Sequence, residues 1–172
     1  MLNKSNMDLV EGKEKFLHIW GTMSSQWGIS RAMAEIHGLL LLTNEPICTE
    51  DIMEKLKMSR GNVHINLRAL MDWNLIQKVL KVGERREYFL AEKDIWIITR
   101  NIMIQRKKRE LEPLMKSLDE LSNVKGDGEE TDDFRKLIKE IKMLSSKVDV
   151  TLENLIQAES HWILGTFLKL MK

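Results

Sequence analysis

Two short amphipathic stretches meet across Lys57–Ser59, and this arrangement constrains the chain more than any other feature of it. Thr49 is placed to cap a short helix with Glu50 and Asp51 in its first turn, where the helix dipole favours acid. Ile52 and Leu56 form its apolar stripe, and it ends near Lys57. Ser59 then caps a second helix with Val63, Leu67, Leu70 and Met71 at i, i+4, i+7 and i+8 of one face. Two short helices about three residues apart, the second well capped, predict a helix-turn-helix.

The flanks extend that reading. Val10, Phe16, Leu17, Ile19, Trp20, Met23 and Trp27 recur at near-helical spacing, with Gly28 as the stop. Ser30 caps a further helix to Leu42 or Thr43, and Asn44-Glu45-Pro46 is a turn. After the helix pair, Leu75–Lys81 and Arg86–Leu90 are rich in β-favouring residues around a polar tip, Val82-Gly83-Glu84-Arg85. They predict a β-hairpin of imperfect alternation. Asp94 to about Leu121 returns to helical spacing, with Pro113 ending it, kinking it or starting a new helix. Residues 123–130 form the clearest linker. Beyond it Phe134, Ile138, Ile141, Val148, Leu152, Leu155 and Trp162 make a heptad-like seam interrupted by Ser145 and Glu159. The apolar end of the chain, around Trp162-Ile163-Leu164 and Phe167-Leu168, calls for burial, most simply against a second copy.

The expected architecture is therefore mainly α. A winged helix-turn-helix domain with a small β-hairpin wing spans 31–92. An N-terminal helix (1–30) and a C-terminal helical region (93–172) act as dimerisation arms.

Charge and cysteine content narrow the function. Lys and Arg total 27 against 26 Asp and Glu, so the net charge is +1 and any nucleic-acid surface must be a local patch. The single cysteine excludes a disulfide framework and a Cys-rich zinc site. The N-terminus lacks the apolar run of a secretion signal, and Leu39–Leu42 is far shorter than the roughly 20 residues of a membrane span. A cytoplasmic location with no membrane partner is expected. No nucleophile–base pair, phosphate-binding glycine loop or carboxylate dyad stands at a meaningful spacing, so neither an enzyme nor a cofactor is expected.

In a winged helix-turn-helix the second helix of the pair enters the major groove, with residues of its N-terminal half at the base edges. Those residues are Ser59, Arg60, Asn62, His64 and Asn66. Arg60 suits bidentate contact with guanine, and Asn62 and Asn66 suit adenine. Ser59 at the helix N-terminus suits a phosphate. Arg68, a turn later, suits a phosphate or an intramolecular ion pair. Gly61 costs about 1 kcal/mol against Ala inside a helix, and its lack of a side chain allows close approach to DNA or to a neighbouring helix. Lys78, Lys81, Arg85 and Arg86 in the hairpin can follow the adjacent backbone or minor groove.

The stretch from Arg31 to Trp96 resembles the MarR-type winged-helix regulators, and within them the branch of the glycine betaine synthesis repressor, GbsR. The residues that carry the likeness are Ala34–Leu42, Met58-Ser59-Arg60-Gly61-Asn62-Val63, Asn66–Leu70, Trp73-Asn74-Leu75-Ile76 and Gly83-Glu84-Arg85-Arg86-Glu87-Tyr88. Asn74 stands where a glycine is expected, and Asn tolerates the same left-handed backbone. The resemblance implies a homodimeric transcriptional regulator on double-stranded DNA. Some members of the branch respond to choline or related osmolytes. A quaternary ammonium cage needs converging aromatic faces, and Trp20, Trp27, Trp73, Trp96 and Trp162 are scattered along the chain. A small-molecule effector acting across the Gly126–Gly128 linker would change the separation of the two DNA-reading heads.

Blander readings stand beside these. Arg60, Asn62 and Arg68 also fit a solvated helix face, and Lys78 and Lys81 the protection of an edge strand. Arg106-Lys107-Lys108-Arg109 fits ion pairs with Glu110 and Glu112 better than a nucleic-acid patch. His18, His37, His64 and His161 lack metal spacing, His37 reading as a satisfied structural histidine. Cys48 reads as inert, and the methionines as core filler. The alternative function is a winged-helix protein-interaction module that does not bind DNA.

Overall fold

A computed structural model describes residues 7–26 and 28–158, and the chain divides between Ile98 and Thr99 into two units. The first unit opens with α1 (Leu9–Gln26) and α2 (Arg31–Leu41). Backbone bonds from Gly28 and Ile29 back to Ser25 and Ser24 close α1, with Gly28 at φ 76°. A left-handed residue at that place is what glycine supplies. Ser30 caps α2 by accepting from the Met33 N–H at 3.1 Å. The two helices approach closely at Gly38. A Cβ built there would meet Leu17 Cδ2 at 3.0 Å and Trp20 Cδ1 at 3.2 Å. The N-terminal helix therefore packs on α2 within this unit.

A two-residue strand, β1 (Ile47–Cys48), leads into α3 (Thr49–Leu56). The expected cap at Thr49 is not observed. Thr49 is already the first, buried residue of α3, and Cys48 holds the capping position without a side-chain bond. Pairing of β1 with a later strand sets that start, a constraint local spacing does not report. Lys57, at φ 52°, turns the chain, and α4 (Arg60–Asp72) begins from a Ser59 cap as expected. Asn74 closes α4 at φ 53°, bonding back to Met71.

The strands β2 (Ile76–Val79) and β3 (Tyr88–Ala91) form the hairpin. They are shorter than the sequence suggested. The last paired residues are Val79 and Tyr88, so the whole stretch 80–87 is tip. The sheet is antiparallel in the order β1-β3-β2, and the third strand was not foreseen. Two residues carry too little alternation to be read. Ile36, Leu40, Ile52, Val63, Leu67, Leu70, Leu75 and Phe89, all nearly inaccessible, make one core from α2, α3, α4 and the sheet.

Helix α5 (Ile95–Arg106) carries the chain across Ile98 and Thr99. In the second unit a π-helical turn (Lys107–Leu111) precedes α6 (Glu112–Leu121). Pro113 thus lies in the first turn of a helix, where its missing N–H costs least, and the wider turn before it makes room for the ring. Helix α7 (Glu129–Gln157) packs on α6 and on the π-helical turn. Its expected seam divides into two faces. Ile138, Ser145 and Ile156 are buried, so Ser145 belongs to the packed side instead of interrupting it. Ile141, Val148 and Leu155 are exposed, together with Leu137 and Leu144. The expected packing of the apolar end, Trp162 included, lies outside the described residues. Among the described residues no helix is long and apolar enough to cross a membrane, and no cluster of His, Cys, Asp and Glu could hold a metal ion.

Candidate nucleic-acid interface

Helix α4 buries Val63, Asn66, Leu67 and Leu70. At about 100° per residue its opposite side is centred on Gly61, Ile65 and Arg68, with His64 and Asn62 on either hand. All five are exposed. Ser59 caps this helix through a 3.4 Å bond from the Asn62 N–H. A Cβ added to Gly61 would meet nothing within 4 Å, so no neighbouring helix explains the glycine.

Asn66 departs from the sequence reading. It is 8% exposed, and its carboxamide is committed within the protein. The Ser30 hydroxyl donates to Asn66 Oδ1 at 3.0 Å, and Asn66 Nδ2 donates to the Asn62 carbonyl at 2.8 Å and to Asn62 Oδ1 at 2.7 Å. This amide ties the start of α2 to α4, and its hydrogen-bonding groups are occupied within the protein. Inward-facing position on the helix decides this, whatever the residue's fitness for adenine.

Arg60 lies toward the side of α4. Its guanidinium donates to Glu50 Oε1 of α3 at 2.9 Å, with both side chains exposed. Glu50 is held below the ordinary carboxylate range, first by its own backbone N–H and then by Cys48, Arg60 and Arg86. Glu50 therefore links the first residue of α4 to Arg86 on the returning limb of the wing. Arg86 reaches Cys48 and faces Tyr88 and Glu50, which favour its charged form.

The wing is internally braced. Lys78 on β2 pairs with Glu87, whose carboxyl is held low by that lysine and, more weakly, by His64. The Glu84 N–H bonds the Lys81 carbonyl at 3.1 Å, closing a turn with Gly83 at φ 83°. Such a turn needs a residue at positive φ, which glycine adopts without strain. Lys81 lies over the Tyr88 ring at 4.1 Å, a cation–π contact. The Tyr88 hydroxyl donates to Glu84, which pushes its pKa up to about 12. Arg85 stands exposed at the tip between Glu84 and Arg86.

The structure thus presents Ser59, Gly61, Asn62, His64 and Arg68 outward on α4, and Arg85 on the wing. It holds Arg60, Lys78, Lys81 and Arg86 against Glu50, Glu87, Tyr88 and Cys48. The sequence reading missed Glu50, Glu87 and Ile65. The spacing of Ile65 four residues after Gly61, off the apolar stripe, was the available signal.

This order and geometry is that of a winged helix-turn-helix, and residues 39–78 match the model of the bacterial regulatory protein, arsR family. Over 94 residues the chain is 26% identical to the HTH-type transcriptional repressor GbsR of Bacillus subtilis (strain 168). The chain is a winged helix-turn-helix protein that is similar to GbsR over part of its length. That likeness covers 55% of this chain and 52% of the GbsR chain, about half the length of each. A solved structure described as a transcriptional regulator superposes with a TM-score of 0.55 at 20% identity, covering 86% of this chain and 99% of that one. Staphylococcus aureus MepR in its DNA-binding conformation superposes more loosely, with a TM-score of 0.40 at 18% identity over 77% of this chain and 90% of that one.

Proposed function

We propose that this GbsR-like protein is a sequence-specific transcriptional regulator, a repressor, which binds a near-palindromic DNA operator as a homodimer in the cytoplasm. One observation carries the reading: α4 turns a partly cationic face, open to close approach at Gly61, to solvent beside a braced wing with Arg85 at its tip. In such a docking, residues 59–65 enter the major groove, Arg68 meets a phosphate, and Arg85 and Arg86 meet the flanking backbone. A two-fold dimer would place its half-sites about one helical turn apart. The exposed apolar line on α7 supplies the self-complementary surface. A small-molecule effector would act by changing head separation, and equal operator affinity in every ligand state excludes it.

The test is retention of genomic fragments by the full chain under salt titration. We expect a palindromic site to be selected. Arg85→Ala should weaken it for all sequences and lower the salt slope by about 1 per wing. A second reading, a protein-interaction module, draws on the pairing of Arg60 and Lys78 with Glu50 and Glu87. It requires weak, salt-insensitive DNA association that Arg85→Ala leaves unchanged.

A further inference from the structure

Two exposed residues on the outer line of α4 gain nothing from the chain's own packing. Gly61 is helical, needs no unusual φ, and has open space where a Cβ would go. In this first turn glycine gives the helix no advantage over alanine. Ile65, one turn later on the same line, is 72% exposed. A β-branched apolar side chain there loses rotamer freedom to the helix and buries little surface in exchange. The neighbours on that line, His64 and Arg68, are polar, so the apolar step is local.

Together these residues put open space over the backbone and an exposed aliphatic side chain one turn apart on the same helix face. Such a face suits a small apolar group brought close to the helix axis. On the base edges of the major groove, the pyrimidine 5-methyl of thymine is the group of that kind. We propose that Ile65, with Gly61 clearing the approach, reads a thymine methyl in each half-site and so sets part of the operator sequence. The inference rests on the DNA-binding reading above.

The experiment uses the operator selected by the full chain, with each thymine replaced in turn by deoxyuridine. That exchange removes the methyl and leaves every hydrogen-bonding atom in place. One position per half-site should lose about 4-fold in affinity, the worth of one buried methyl. Ile65→Ala, which removes the contact in both half-sites, should lose about 16-fold, the square of that factor, and no longer distinguish thymine from uracil there, while Ile65→Val keeps the distinction. Gly61→Ala should melt no lower than the parent yet bind the operator more weakly. Uniform tolerance of deoxyuridine, or an Ile65→Ala variant as sensitive to it as the parent, overturns the proposal. Failure of the parent to select any sequence overturns the DNA reading itself, and this inference with it.

Discussion

Single side chains decide more here than their chemistry alone suggests. His37 is 3% exposed and its Nε2 has no hydrogen-bond partner, so it is not the satisfied core histidine that spacing suggested. It lies 5.9 Å from the Trp20 ring, and burial, aided by the Lys93 charge, lowers its pKa from 6.5 to about 4. The unfolded chain takes up this proton first. The His37 contribution is thus complete above pH 6.5 and is lost as pH falls from 6.5 toward 4. Each pH unit in that window costs about 1.4 kcal/mol. Urea unfolding of His37→Leu should show a pH 7 to pH 5 loss smaller than the parent's by about 2 kcal/mol. Equal losses would mean that the imidazole is solvated in the native state. Asn66 teaches the same lesson in reverse: an amide suited to a base edge serves as an internal tie because its helix position faces the core.

The elements were legible where a local rule sets them. Ser30 and Ser59 cap as read, and Asn74 takes the left-handed turn expected of it. Lys57 takes the same conformation without the composition that announces it. Every L side chain in that conformation, lysine included, costs roughly 1–2 kcal/mol, and a β-branched one fits it worse still. Lys57→Val is expected to lower the melting temperature while Lys57→Gly does not, and equal melting of the two would remove the backbone argument. The C-terminus of α2 illustrates what local rules miss. Lys93 Nζ donates to the carbonyls of Leu40 at 2.7 Å, Leu41 at 2.8 Å and Thr43 at 2.5 Å. A lysine there favours the negative end of the helix dipole, yet it comes from far along the chain. The basic run 106–109 behaves as predicted in kind and differs in partner. Arg106 pairs with Glu110, but Lys107 reaches Asp149 and Glu153 of α7.

At the scale of the whole molecule, α7 carries an apolar line that the second unit does not cover. Leu137, Ile141, Leu144, Val148 and Leu155 are spaced by four, three, four and seven, the rhythm of a coiled-coil seam. Under the proposed dimer this line meets its own copy. Leu144→Glu should then shift the full chain toward monomer in analytical ultracentrifugation and weaken operator binding, with helix content retained. A parent already monomeric at micromolar concentration would overturn the dimer, and an unshifted variant would place its contact elsewhere.

Periodicity, caps and turn residues determined by themselves that this chain would form a short helix pair followed by a hairpin, because each of those features is set by neighbours a few residues away. The tertiary structure alone decided which polar side chains are engaged within the protein. The position of α4 against α2 ties Asn66 to Ser30, and pairing of β1 with β3 sets the start of α3. Contacts between distant segments leave little trace in local spacing. The surface that would read DNA is therefore defined less by which residues suit a base than by which ones the core has left free.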